Sequence, residues 1–475
     1  MAYIAGTDRS QAVLLPEVLD DYVRPENPVR FLDEFVARLD LVELGFQRAV
    51  PAETGRPGYD PGDLLRLYLY GYLHRIRSSR RLEQETHRNV EVMWLLRRLT
   101  PDFKTIADFR RDHPKALKGV CRAFILLCRR LDLFGGELLA IDGSKFRAVN
   151  GRNRSYTQGQ LTKLQRDVDR TITRYLRELA RHDAAEAGLA GPSAEALQDK
   201  IAALRERGAR YGALQRKVAA SGETAVSLTD PESRSMMSSG RIEVCYNVQT
   251  VVDAKHKLIV AHDVTNAAGD RDQLSPMALA AQDILQAPAP VVVADQGYYH
   301  GTEIKACLDA GITPLVPRPR TSANEARGLF TKDDFRYEAA QDAYRCPAGQ
   351  VLTYRSTTIE LGRTIRNYRT RACGRCALQA RCTRNKDGRK ITRWVDEHLL
   401  EAMAVRLRRD RAVFARRKEL AEHPFGTMKR GMEQGYFLLK GLPKVRGEFS
   451  LTVLAYNLKR VLNIIGVPRL LDALA

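Results

Sequence analysis

Two short apolar runs end on an aspartate: LLAID at residues 138–142 and VVVAD at residues 291–295. Each has the length and composition of a short buried strand. Gly143 and Ser144 follow the first and are expected to turn the backbone away at Asp142. A strand end is a rigid place from which to present a charge. Taken singly, each Asp reads as a turn or helix-capping residue. They matter as a pair only if the fold brings them together across the 153 positions between them.

The order of elements gives a way to do that. After LLAID comes RIEVCYNVQTVVDAKHKLIVAHDVT, two strands around the turn DAKHK. NAAGDRDQLSPMALAAQDILQ follows as a turn and a helix, then VVVAD as a strand, then GITPLVPRP as another. Three strands, a helix and a fourth strand is the RNase H-like order, in which the first and fourth strands lie side by side. The predicted class is α/β, with a mixed-sheet core formed by 136–150, 236–319 and 396–470. Residues 1–132 read as a helical domain. PGDLLRLYLYGYLHRI starts on Pro61 near the first helical position, and Ser78 or Ser79 can cap the next helix. Short helices with outward Arg and Lys suit a helix-turn-helix-like DNA reader, or equally a plain bundle. Residues 151–235 read as an inserted antiparallel helical hairpin turning at GLAGPSA, and 320–395 as an irregular, strand-like, Cys-containing insertion.

Two carboxylates at adjacent strand ends repel unless a cation neutralises them. Hard oxygen ligands suit Mg²⁺ or Mn²⁺, and a pair of such ions serves phosphoryl transfer. RRKELAEHPFGTMKRGMEQGYF offers Glu419, Glu422 and Glu433 as a third acid. Lys429 follows Glu422 by seven residues, two helical turns on one face. Pro424 is expected in the first turn of its helix, with Glu422 at or just before the helix start. Phe425 would pack inward, and Gly426 would leave room for a phosphate backbone. An ordinary surface charge pair has the same spacing.

The chain carries 77 Lys and Arg against 57 Asp and Glu, a formal charge of +20. The Arg residues cluster locally, as in RLRRDRAVFARRK, which is the footprint of a polyanion partner such as DNA. MAYIAGTDRSQ lacks a charged region followed by an apolar one, and no run of 18 apolar residues occurs. Eight Cys in 475 residues are too sparse for a disulfide scaffold, so a reducing cytoplasm, at the nucleoid, is expected. Four of them lie close in sequence: Cys346 in YRCPAGQ, and Cys373, Cys376 and Cys382 in RACGRCALQARCT. Four thiolates could form a tetrahedral Zn²⁺ knuckle, or remain reduced thiols in a strand-rich insert. Cys121, Cys128, Cys245 and Cys307 sit in apolar contexts and read as core.

Several segments together resemble the DDE transposases of bacterial insertion sequences, in the branch with a Tyr-Arg-Glu-Lys signature. They are IDGSKFRAVN, LTDPESRSM, YNVQTVVD, VTNAAGDRDQL, VVADQGYYHGTEI, EHPFGTMKRG and AYNLKRVLNIIG. YDPGDLLRLYLYGYLHRIRSSRRLEQE and PDFKTIADFRRDH resemble the N-terminal helical domain of such enzymes. The resemblance implies Asp142, Asp295 and Glu422 as a metal-binding triad and Lys429 as a contact to DNA phosphate. It places the signature's Arg at Arg417 and its Tyr at Phe414, which has no hydroxyl. Arg417 stands five residues before Glu422, where the strict signature has four. The implied activity is binding of terminal inverted repeats, cleavage at the element's ends and transfer of the 3′-OH strand to target double-stranded DNA by two-metal phosphoryl transfer. A homodimer or larger synaptic complex would hold two such sites. A metal-dependent nuclease on the same core, or an inactive DNA-binding relic, would share these residues.

Overall fold

The computed structural model describes residues 18–474 except 52, 55–56, 151–154, 185–193, 222–224, 239 and 320–322. The first helices are α1 (Pro28–Ala37), α2 (Pro61–Leu73), α3 (Ser79–Arg88), α4 (Val90–Leu95), α5 (Phe103–Asp112) and α6 (Pro114–Arg130). Their starts follow from the sequence. Asn27, Asp60, Asn89 and Asp102 each accept a backbone N–H of the first turn, and Pro opens α1, α2 and α6 where no donor is needed.

Then come β1 (Leu138–Arg147), β2 (Ser155–Thr157), α7 (Gln158–Ala184), α8 (Ala194–Ser221), β3 (Ala225–Ser227), β4 (Arg234–Ser238), β5 (Arg241–Asp253) and β6 (Ile259–Thr265). These are followed by α9 (Leu274–Leu285), β7 (Val291–Val293), α10 (Gly301–Asp309), β8 (Thr313–Leu315) and α11 (Ala323–Ala326). The strands β9 (Arg336–Glu338), β10 (Ala343–Arg345), β11 (Val351–Glu360) and β12 (Arg363–Arg369) precede α12 (Gln379–Cys382) and β13 (Ile391–Trp394). The chain ends in α13 (Glu397–Arg409), α14 (Arg411–Gly426) and α15 (Leu442–Asp472). The structure is thus mixed helix and sheet. The turn GLAGPSA proposed for the α7–α8 hairpin falls largely outside the described residues. The two helices do pack together, and Gln215 of α8 donates to the Thr162 hydroxyl of α7 (2.9 Å).

The chain divides into two compact units. The first comprises residues 1–135, 143–269 and 421–475. Its hub is α15, which packs on α6, α2, α1 and β6. α2 is buried from Pro61 through Tyr72, so it has no solvent face. Gly447 lets α15 approach α6: a Cβ there would stand 2.4 Å from Cα of Pro114. The motif AYNLKRVLNIIG supplies fasteners for the β5–β6 turn. Asn457 accepts from the backbone N–H of Ile259 and donates to the Ile259 carbonyl, both at 2.8 Å. Tyr456 donates to the Lys257 carbonyl (2.7 Å), and Arg460 to that of His256 (2.8 Å). Asn457 is fully buried. Asn457→Leu would strand one backbone donor and one acceptor, at a cost of about 2–4 kcal/mol, read as a lower urea midpoint.

His262 of β6 meets the Ser450 hydroxyl (2.8 Å) and the Phe449 ring. Burial, reinforced by the charge of Lys118, pushes its pKa down to about 3. The folded chain therefore keeps this imidazole neutral, whereas the unfolded chain protonates it below about 6.5. Stability is expected to fall with acidification below that value, by roughly 2 kcal/mol at pH 5. Urea midpoints at pH 7.5 and 5 should separate less for His262→Gln than for the wild type.

The second unit comprises residues 136–142 and 270–420. In it, the first part of β1 pairs in parallel with β7, and β7 in parallel with β8. α10 and α13 pack on β8, and α9 packs on α10. Residues 336–394 contain a five-stranded antiparallel sheet in the order β13-β12-β11-β10-β9. The region read as irregular and strand-like thus contains a regular sheet. Its core is small: Phe335, Tyr344, Leu352, Tyr368 and Ile391.

Two local expectations are corrected. β1 does not end at Asp142 but runs on through Gly143 and Ser144 to Arg147. The strand continues because its end finds new partners: Ala148 N–H donates to Val244, while Arg147 exchanges backbone bonds with Gly435 and Phe437. Pro424 does not open a helix. It lies near the end of α14, so Glu422 sits in the last turns rather than at a start. Proline offers no N–H to the helix ladder, and the backbone passes at once into a π-helical turn, Thr427–Gly431. The seven-residue spacing from Glu422 to Lys429 therefore spans a change of helical period.

Candidate active site

In the second unit, β1 and β7 pair with Ala140 opposite Val293. Asp142 and Asp295 each lie two residues beyond that last pair, so both acids follow the paired ends of neighbouring parallel strands. Ala294 N–H still bonds to Leu315 of β8, which holds the chain straight up to the second acid. Beyond it, Asp295 accepts from Gly297 N–H (2.7 Å) and caps a short 3₁₀ turn, Gln296–Tyr298. Asp295 thus does what a lone strand-following Asp does, two residues beyond the pairing of β7 with β1. Tyr298 is fully buried, so it serves packing, and burial raises the Tyr299 phenol.

The Asp142 side chain is 19% exposed, and the Arg417 guanidinium approaches it to 3.8 Å. Arg417, expected at DNA, is therefore engaged with the first acid. It lies on the face of α14 turned to β1 while Arg411, Arg416, Lys418 and Glu419 are exposed. A further acid stands here that the sequence reading left without a role. A Cβ on Gly297 would lie 2.9 Å from Oδ1 of Asp295 and 3.8 Å from Oδ2 of Asp270. The two carboxylates flank the same point. The available signal was the acid-rich turn GDRDQL between a strand and a helix.

Glu422 and Lys429 belong to the first unit. Glu422 is exposed near the end of α14. Its neighbour His423 contacts the Tyr456 hydroxyl at 3.1 Å. Phe425 is buried edge-on to Phe146, as expected, and Gly426 faces open space. Lys429 is half-buried. Its ammonium donates to the Ser144 hydroxyl (2.7 Å) and the Lys145 carbonyl (2.8 Å), above the Phe146 ring. Burial lowers its pKa, opposed by Cys245 and reinforced by Lys145. Among the described residues, no group of three or more His, Cys, Asp or Glu side chains is arranged as it stands to hold a metal ion. Asp142 and Asp295 nevertheless supply carboxylate oxygens, the hard donors that Mg²⁺ or Mn²⁺ takes.

The four clustered cysteines all line one cavity in the second unit, beside Leu378 and Phe335. The other four are buried. Burial raises their thiols, Cys245 to about 11 and Cys307 to about 12. Among the described residues no helix is long and apolar enough to cross a membrane.

Comparison with known families bears on this arrangement at both ends of the chain. A family described as a transposase domain (DUF772) matches residues 17–112, and one described as a transposase DDE domain matches residues 345–462. The matches support a DDE transposase of the insertion-sequence type. The second match contains Arg417, Glu422 and Lys429, whereas Asp142 and Asp295 lie outside both. No curated protein and no solved structure matches the chain.

Proposed function

We propose that this chain binds the terminal inverted repeats of an insertion sequence, cleaves at the ends and transfers the 3′-OH strand to target DNA. The observation that supports the reading is the parallel pairing of Leu138–Ala140 with Val291–Val293, which ends two residues before Asp142 and Asp295 on neighbouring strands. With Glu422 they form the proposed triad on an RNase H-like core. The three carboxylates would hold Mg²⁺ or Mn²⁺, which lowers the pKa of an attacking water and neutralises charge on the scissile phosphate.

The chain's own residues do the rest. Arg417 shares the Asp142 carboxylate and orients it before a cation arrives. Lys429, held on Ser144 and Lys145, keeps a fixed positive charge near the strand that carries Asp142 and is assigned to a DNA phosphate. α3 exposes Arg80, Arg81, His87 and Arg88 while burying Leu82, Glu85 and Thr86, a basic face suited to the repeat's backbone. The net charge supports a duplex partner, with binding that weakens steeply with salt. Joining two ends calls for two sites, hence a homodimer or larger synaptic complex. The place of action is the cytoplasm, on the nucleoid.

The test uses purified protein, Mg²⁺, a linear DNA carrying the element's own terminal repeat, and a target plasmid. End cleavage followed by joining to the plasmid is expected. Cutting without joining would replace the reading with a nuclease. Binding of the repeat with neither reaction would replace it with a DNA-binding relic.

A further inference from the structure

A second metal centre, separate in chemistry from the proposed triad, is supported by the cysteine cluster. Cys346, Cys373, Cys376 and Cys382 come from two separated stretches of chain and converge on one cavity of about 20 Å³. Both stretches arrive as tight turns. Cys346 opens a turn closed by Gly349 N–H on its carbonyl (2.8 Å), and its own N–H bonds to Gln350 (2.9 Å). Cys373 opens the next, with Cys376 N–H on its carbonyl (3.3 Å). Cys382 ends α12, one turn beyond. Gly388 presses on Cys373: a Cβ at Gly388 would lie 2.7 Å from Cβ and 3.0 Å from Sγ of that residue. The four other cysteines of the chain are buried in helices and strands, with no more than two near each other, so a group of four thiols is confined to this place.

We infer that these four thiols bind one structural Zn²⁺, which fastens the turns at 346–350 and 371–382 to the five-stranded sheet. Two considerations favour zinc. Four thiolates are a complete tetrahedral shell with no open position, which is the pattern of a structural rather than a catalytic site. The sheet also needs a staple. Its buried core is five side chains, and β11 is exposed along most of its length. Cys346 and Cys382 pack against that core, so an ion held by them is tied directly to it. The thiols do not stand as a closed shell before the ion is present. On binding, they release their protons to solvent and draw in to Zn–S bonds of about 2.3 Å. Once fixed, the turns would present Arg371, Arg375 and Arg381, all exposed, from a rigid support.

The inference is independent of the strand-transfer reading, and its test does not use DNA. Tag-free full-length protein is purified without chelator, supplied with equimolar Zn²⁺ and desalted, and its metal content is measured. About one zinc per chain is expected. Replacement by Co²⁺ should give the intense sulfur-to-cobalt charge-transfer band and d–d bands of a tetrahedral thiolate site. Cys373→Ser with Cys376→Ser should abolish the band, whereas Cys307→Ser should leave it unchanged. Should the double variant fail to fold, Cys382→His keeps four ligands and is expected to bind Co²⁺ with a weaker thiolate band. Absence of zinc from the wild type, an octahedral cobalt spectrum, iron in place of zinc, or a Cys373–Cys376 disulfide would each overturn the inference.

Discussion

Asp295→Asn is expected to lose end cleavage and strand joining by about 10³-fold or more, while affinity for the terminal repeat stays within about twofold. The drop corresponds to about 4 kcal/mol, the scale of charge stabilisation that a bound divalent ion supplies. The variant suits the test because it preserves the local fold. The Asp295 Oδ1 atom accepts from Gly297 N–H, and an asparagine carbonyl oxygen can accept the same bond. Only the charge is removed. Asp142→Asn should show the same loss, with its Arg417 partner left unneutralised. Single-turnover cleavage and a repeat-binding titration on the same preparations separate chemistry from affinity. Cleavage at the wild-type rate by either variant would remove that residue from the site.

Glu422→Gln is expected to lose activity to a similar degree at almost no cost in stability. The side chain is exposed, and exposed substitutions of this kind shift stability by less than about 0.5 kcal/mol. Thermal unfolding should therefore overlay the wild type while joining disappears. Glu419 and Glu433 are the competing third acids. Glu419 is exposed on α14 three residues earlier, and Glu433 follows the π-helical turn with a positive φ of 56°. If Glu422→Gln still joins ends and Glu419→Gln or Glu433→Gln does not, the third acid moves to that position.

The parts of this fold written in local periodicity were legible. Pro61 opens α2 as expected, Ser78 precedes α3 but makes no side-chain capping bond, and the β5–β6 hairpin turns at the DAKHK stretch. The side-by-side placement of the first and fourth core strands was also expected, and β1 does pair with β7. What the sequence concealed was set by distant partners. Gly143 and Ser144 look like a turn, yet backbone bonds near Arg147 hold that segment extended. Pro424 looks like a helix opener, yet it is carried inside α14 because a π-helical turn takes up the disruption. β11 and β12 were hidden for another reason. β11 is exposed on both faces over most of its length, so the alternation that marks a half-buried strand is missing. Their hairpin turns on Leu361 and Gly362, both at positive φ, and leucine is not a residue that announces such a turn. Asp270 was overlooked because its place beside Gly297, with Asp295, is set by the fold and by no spacing rule.

The central claim is that Asp142 and Asp295 share one divalent ion. The most direct measurement is a Mn²⁺ titration of the protein bound to its terminal-repeat DNA, followed by electron paramagnetic resonance of free Mn²⁺. It would compare wild type, Asp142→Asn and Asp295→Asn. The account predicts saturable Mn²⁺ binding by the wild type that both variants lose. Equal binding by all three proteins would contradict it.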